Sequence, residues 1–156
     1  MSNTIEQTND VLNDLVKINN DRIEGYTKAI KEIDGKNEDD LSALFQQMVS
    51  QSQDCGSDLK ALIMNNGGTV ASGSTTMGKI YRTWMDLKIT FSGNDRKTVL
   101  ESCEFGEDAA QKAYKMALDE SDLSEKARTL INSQKSELRQ SHNEIKRLRD
   151  LEKAHA

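Results

Sequence analysis

The chain has 156 residues, no proline, 4% aromatic and 30% charged residues, and a formal net charge of −5 at pH 7. This acidic balance argues against a broad nucleic-acid or anionic-membrane surface, and two cysteines are too few for a disulfide framework. No apolar run is long enough to span a bilayer, and the polar N-terminus lacks the order of a signal peptide. We therefore expect a cytoplasmic protein without nucleic-acid or membrane partners.

Apolar residues recur at steps of three and four along most of the chain, which predicts helices. The predicted helices cover about residues 4–33, 38–65, 77–91, 95–118 and 122–149. Gly35 is expected to end the first helix, while Asn37 and Asp122 are expected to cap the second and the last. Residues 67–76, GGTVASGSTT, indicate a crossover rather than a tight turn. The tail after Arg149 is expected to fray, and residues 1–156 form one predicted domain.

The two halves of the chain share an ordered set of motifs. Tyr26 and Tyr114 each begin a Tyr-x-x-Ala motif, which precedes Asp-Leu-Ser and then an acidic residue followed by Leu-Lys or Ile-Lys. A helical hairpin repeated twice and joined by a crossover is the plan of a ferritin-like bundle. The predicted fold is therefore all-α: a ferritin-like up-down four-helix bundle. It has a short extra helix, residues 77–91, in the crossover between helices two and three of the bundle.

Several segments resemble an uncharacterised bacterial ferritin-like four-helix-bundle family, a domain-of-unknown-function family that is distantly similar to rubrerythrin and ferritin-like proteins. The most specific segments are WMDLK at 84–88 and EFGED at 104–108, and LNDL at 12–15 resembles the family's opening helix. The resemblance extends over about residues 9–148. It implies the fold and a bacterial cytoplasmic origin, and it implies no activity.

Ferritin-like di-iron bundles hold two ions with a Glu from each of two helices and a Glu-x-x-His from each of the other two. In rubrerythrin-like proteins the first Glu lies seven residues before a Tyr of the same helix, so Tyr26 and Tyr114 identify the two Glu positions here. Aligning the second helices of the two halves identifies the Glu-x-x-His positions. The six inferred positions are Asn19, Gln53, Gly56, Glu107, Arg139 and His142.

Most of these positions cannot bind a metal. Only Glu107 and His142 are common ligands of iron or manganese, and Arg139 is a permanent cation. We therefore expect a degenerate site without a resident cofactor. A Glu107–Arg139 ion pair, hydrogen-bonded to Asn19 or Gln53, is expected to fill the vacated space.

The leading functional hypothesis is a non-enzymatic bundle of unknown cellular role that acts through protein–protein contacts, for example in a stress response. Its partner is an unidentified protein, and a homodimer is the simplest assembly. The sequence has no phosphate-cradling glycine loop and no nucleophile–base pair that spacing identifies.

Two alternatives stay open. The first is a metal-binding protein, either a di-metal oxidase or a storage protein that uses iron or manganese, with a non-standard site around Glu107 and His142. Glu104, one turn before Glu107, is a further candidate ligand for that site. The second is a small-ligand site beside Gly56. Cys55 and Cys103 both lie on apolar stripes, so we expect buried thiols, with a redox pair as the competing interpretation.

Overall fold

The structure is a computed structural model that describes residues 2–35, 37–71 and 96–154. These residues form four α-helices: α1 (Ser2–Ile33), α2 (Asp39–Asn65), α3 (Arg96–Leu118) and α4 (Glu125–Ala154). The prediction of an all-α protein with four long helices is thereby confirmed. The predicted short helix at 77–91 lies outside the described residues, as does the second half of the predicted crossover. None of the four described helices has the length and apolar content needed to cross a membrane.

Two helices begin differently from the prediction. Ser124, not Asp122, caps α4, because its Oγ accepts a hydrogen bond from the backbone N–H of Ala127 at 3.2 Å. This is the usual bond between a cap residue and the third helical residue. Asn37 does not cap α2; it adopts a φ of 60°, which asparagine tolerates better than most residues. Glu38 occupies the cap position of α2 without a side-chain capping bond.

The helix ends match the prediction at α1 and differ from it at α4. Gly35 has a φ of 75° just after α1, the left-handed conformation that lets glycine end a helix. By contrast, α4 does not fray after Arg149 but continues to Ala154. An ion pair supports this last turn, because Glu152 binds the Nε of Arg96 at 2.7 Å.

Each helix packs against two neighbours. The pairs α1–α2 and α3–α4 form hairpins, and the hairpins meet through α1–α3 and, least extensively, α2–α4. Asn19 bonds Tyr114 while Arg22 bonds Glu107, so residue numbers rise along α1 as they fall along α3. Because both hairpins and the α1–α3 pair are antiparallel, α2 and α3 run in the same direction.

Buried apolar side chains form two separate clusters inside the bundle. One contains Leu12, Leu59 and Ile131 among others, and the second contains Phe45 and Leu100. Each such side chain contributes about 1.5–3 kcal/mol on full burial, so the two clusters supply most of the driving force for folding. Between them lie polar side chains that are buried just as completely, and these form the candidate site.

Candidate functional site

A layer of buried polar side chains crosses the middle of the bundle, and we call it the polar layer. All four helices contribute to it, and none of its members is exposed by more than 5%. Burying polar groups costs free energy unless they are bonded to one another, so their partners decide what the layer does. Its members are Asn19, Arg22, Ser52, Glu107, Tyr114 and Gln134.

Arg22 lies at the centre of the polar layer and contacts three helices. Its Nε donates a hydrogen bond to Oε1 of Glu107 at 2.7 Å, and its Nη1 donates to Oγ of Ser52 at 2.5 Å. Its Nη2 contacts Sδ of Met48 at 3.8 Å, and the guanidinium carbon lies 5.4 Å from the centre of the Tyr26 ring. A buried carboxylate and a buried guanidinium therefore compensate each other at the junction of α1, α2 and α3.

The surroundings of the Arg22–Glu107 pair keep Arg22 charged. Burial alone would lower the pKa of Arg22, but the charge and hydrogen bond of Glu107 outweigh burial and hold that pKa above its ordinary value. Burial raises the pKa of the Tyr26 phenol, and the charge of Glu107 raises it further. Arg22 is therefore a permanent cation and Tyr26 a permanently neutral ring. Among the described residues, none donates a hydrogen bond to the second carboxylate oxygen of Glu107.

A second hydrogen-bond network links the helices beside the ion pair. Nδ2 of Asn19 donates to the Leu15 carbonyl and to the Tyr114 hydroxyl, both at 2.9 Å. The Tyr114 hydroxyl donates to Oε1 of Gln134 at 2.7 Å, and Nε2 of Gln134 donates to the Cys55 carbonyl at 3.0 Å. Burial raises the pKa of Tyr114, so its hydroxyl keeps its proton. This chain of bonds connects all four helices.

The structure separates the six positions inferred for a metal site. Asn19 and Glu107 lie in the polar layer, and Gly56 is buried on α2. Gln53 and Arg139 are exposed on the outer faces of their helices. An ideal Cβ built on Gly56 would meet no atom within 4 Å, so the space predicted beside it is present.

The predicted Glu107–Arg139 ion pair is wrong, because Arg22 occupies that place. Arg139 is exposed, whereas Leu138, one residue earlier, is buried. The inferred Glu-x-x-His alignment is thus displaced by one residue from the inward face of α4. Ser52 shows the same displacement on α2, since it is buried while the next residue is exposed.

The side chains suggested for a non-standard metal site have separate partners. Glu104 binds Arg149 at 2.6 Å, and Nε2 of His142 contacts Oδ1 of Asp108 at 2.5 Å on the outer side of α3 and α4. Glu107 faces the core with Arg22. Within residues 2–35, 37–71 and 96–154, no three His, Cys, Asp or Glu side chains lie close enough together to hold a metal ion.

The chemistry of the polar layer does not fit a di-metal centre. Its donors are a single carboxylate, two amides and hydroxyl groups, whereas two hard cations need several carboxylates or imidazoles. The guanidinium of Arg22 already compensates the one carboxylate, at 2.7 Å. A metal at Glu107 would therefore meet a fixed positive charge.

Three members of the polar layer were not predicted from the sequence: Arg22, Ser52 and Gln134. The spacing contained a signal for Arg22, which lies seven residues after Leu15 and four before Tyr26 on one helical face. The next residue, Ile23, is apolar but only half-buried. The other two give no such signal, because Ser and Gln are also common on exposed helix faces.

The two cysteines form no disulfide and lie in different parts of the core. Cys55 belongs to the cluster of Leu12, and Cys103 to the cluster of Phe45. Burial raises the pKa of the Cys55 thiol to about 12, and the nearby charge of Glu137 adds to this effect. The Cys55 thiol is thus held in its protonated, unreactive form at neutral pH.

Comparison with known protein families finds one matching domain family. A family model described as "Domain of unknown function (DUF2383)" matches residues 7–120. The matched region includes most of α1 and all of α2 and α3, well over half of the chain, and it ends before α4 begins. A search of curated proteins finds no match. The chain therefore belongs to the DUF2383 family of domains of unknown function.

Proposed function

We propose that this protein is a ferritin-like bundle in which a buried arginine–glutamate pair replaces the metal site, and that it acts by binding another protein rather than by catalysis. The observation that carries this proposal is the contact between Arg22 and Glu107, each only 1% exposed, at 2.7 Å. One of the two residues, Glu107, is among the six positions inferred from the sequence repeat as ligands of a di-metal centre.

The direction of the helices supports the ferritin-like plan. Neighbouring helices are antiparallel, while α2 and α3 run in the same direction, as the second and third helices do in ferritin-like bundles. Asn19 and Glu107, which correspond to each other in the proposed repeat, both lie in the polar layer. This is the arrangement expected when two hairpins related by a pseudo-two-fold axis contribute equivalent positions.

The ion pair explains how the fold persists without metal. In a di-metal bundle, the cations neutralise several inward-facing carboxylates, and losing the metal leaves these charges buried and repelling. Here a single carboxylate remains, and a single guanidinium neutralises it and bonds Ser52 as well. The layer has become a structural element, which leaves the outer helix faces to carry the function.

The proposed location is the bacterial cytoplasm, and the proposed partner is an unidentified protein or a second copy of the chain. Neither cysteine is in a disulfide, which suits the reducing bacterial cytoplasm. A protein that acts through surface contacts in a stress response, alone or as a homodimer, needs a stable scaffold and no open cofactor site. The polar layer meets that requirement because its side chains are closed to solvent.

Elemental analysis of protein purified without chelators tests the proposal. We expect iron, manganese and zinc far below one equivalent per chain, and no saturable uptake when Mn²⁺ is titrated under calorimetry. The matched variant Glu107→Gln distinguishes site binding from surface binding. Stoichiometric metal in the wild type that is lost in this variant would overturn the proposal and favour a metal-binding protein.

A further inference from the structure

A basic groove lies between the outer faces of α3 and α4. It has a volume of about 350 Å³, and each helix contributes three side chains to its walls. This is at the small end of the range for ligand-binding clefts. We call it the basic groove, and its lining residues are Gln111, Lys112, Lys115, Lys135, Arg139 and His142.

The charge of the basic groove is opposite to that of the chain. Four of its six lining residues are lysine or arginine and none is acidic, although the whole chain has a net charge of −5. Within the described part of the chain, Lys112, Lys115 and Arg139 have no carboxylate at ion-pair distance. Asp108, one turn before Lys112 on α3, is bonded to His142. Like charges held together in this way repel one another unless an anion binds between them.

Contacts across the groove establish the order of these cations along it. Gln111 and Lys135 lie opposite each other, because Nε2 of Gln111 donates to the Lys135 carbonyl and Nζ of Lys135 donates to Oε1 of Gln111, both at 3.2 Å. From this level, Lys115 lies one helical turn towards one end and Arg139 one turn towards the other. With a rise of 1.5 Å per residue, these two cations are separated by about 12 Å along the groove.

This spacing identifies the kind of ligand that fits. An extended peptide advances about 3.3–3.6 Å per residue, so about four residues span the distance from Lys115 to Arg139. A single phosphate would reach only part of this row. A long nucleic-acid strand would meet Asp119 and Glu120 beyond Lys115, and Asp108 at the other end.

We propose that the basic groove binds a short, extended, acidic segment of a partner protein. The inference rests on the proposed function, because it names the class of partner that the scaffold recognises. Lysines on the α3 wall and Arg139 on the α4 wall pair with successive carboxylates, and the arginine can bind one of them through two parallel hydrogen bonds. Lys135 is oriented for the same role by its bond to Gln111.

Fluorescence anisotropy with a labelled hexaglutamate peptide tests this proposal on the full chain. The variant Lys112→Gln/Arg139→Gln removes one cation from each wall. The matched control Lys60→Gln/Lys126→Gln makes the same change of charge at exposed positions elsewhere on α2 and α4. We expect the groove variant to bind about tenfold more weakly or worse, the control variant to bind like the wild type, and added salt to weaken the wild-type complex.

Several outcomes would overturn the proposal. These are the absence of hexaglutamate binding to the wild type, equal weakening by the control variant, and equal binding of a hexaglutamine peptide. Tighter binding of a single-stranded oligonucleotide than of hexaglutamate would point instead to nucleic acid. All four changes are at exposed positions, and circular dichroism confirms that the variants are folded. The metal measurements above do not depend on the groove, so each proposal can fail alone.

Discussion

Replacing Arg22 by methionine tests the central claim that the polar layer is held by a compensated charge pair. The variant Arg22→Met keeps a long side chain beside Met48 and Tyr26 but leaves Glu107 buried without its cation. Both charged groups are 1% exposed in the native protein. Removing one partner of such a buried pair costs about 3–5 kcal/mol. For a chain of this length 1 kcal/mol corresponds to about 2–4 °C, so the melting temperature should fall by about 6–20 °C.

The double variant Arg22→Met/Glu107→Leu completes the test. It removes both charges, so no uncompensated group remains, and stability should return to within about 1 kcal/mol of the wild type or exceed it. Ser52 loses its arginine partner in both variants, but its hydroxyl can bond a carbonyl of its own helix. Urea unfolding followed by circular dichroism gives the free energies of unfolding for the cycle.

An exposed pair of the same residue types is the matched control. Arg147 and Glu144 form an ion pair at 2.5 Å with side chains 58% and 40% exposed. Arg147→Met should leave the unfolding midpoint essentially unchanged, since water solvates the remaining carboxylate. The reasoning fails if Arg22→Met costs no more than Arg147→Met, or if the double variant is as unstable as the single one.

Three further predictions concern neighbouring features. Tyr114→Phe removes the hydroxyl between Asn19 and Gln134, so the free energy of unfolding should fall by about 1–3 kcal/mol; an unchanged value in urea titrations would contradict this. Burial raises the pKa of Cys55 from its ordinary value of 9.0 to about 12. The buried thiol therefore contributes its full stabilisation below pH 9, and this contribution is lost as the pH rises towards 12. Alkylation of native protein at pH 8 should therefore spare this thiol, and Cys55→Ala should flatten the alkaline loss of stability; rapid alkylation, or an unaltered alkaline profile, would refute the assignment. Arg96→Met removes the ion pairs of Arg96 with the start of α2 and with the end of α4. The free energy of opening the last turn of α4 should fall by about 1 kcal/mol, so its amides should exchange faster. Unchanged exchange there would show that the ion pairs do not hold that end.

Most of the described fold was predictable because it depends on periodicity. The four long helices follow from apolar residues at steps of three and four, and their bounds agree to within a few residues except at the end of α4. That end depends on the ion pair between Arg96 and Glu152, which are far apart in sequence. The cap of α4 is Ser124, whereas Asp122 was predicted. Both residue types cap helices well, so the sequence alone does not choose between them, and the three-dimensional path of the loop decides.

The candidate site was predictable only in part. Seven-residue spacing from the tyrosines correctly located Asn19 and Glu107 in the core, since a shift of seven residues returns nearly to the same helical face. The alignment of α2 with α4 had no tyrosine to mark the inward face. An error of one residue, which is about 100° around the helix, therefore moved the predicted position from Leu138 to Arg139. The identity of the cation that pairs with Glu107 was beyond sequence reasoning because it depends on which helices are neighbours.

The polar layer also bears on how two similar hairpins find a single arrangement. If the hairpins are repeats, their apolar stripes resemble each other, and sliding one helix by a turn would still bury leucine against leucine. Such a slide moves Arg22 by about 5.4 Å, away from Glu107 and into one of the apolar clusters, where its charge would have no partner. A charge pair that contributes little net stability can therefore exclude the wrong registers strongly. On this reasoning, the double variant Arg22→Met/Glu107→Leu should keep its stability while its core loses uniqueness, which broadened side-chain NMR signals would reveal.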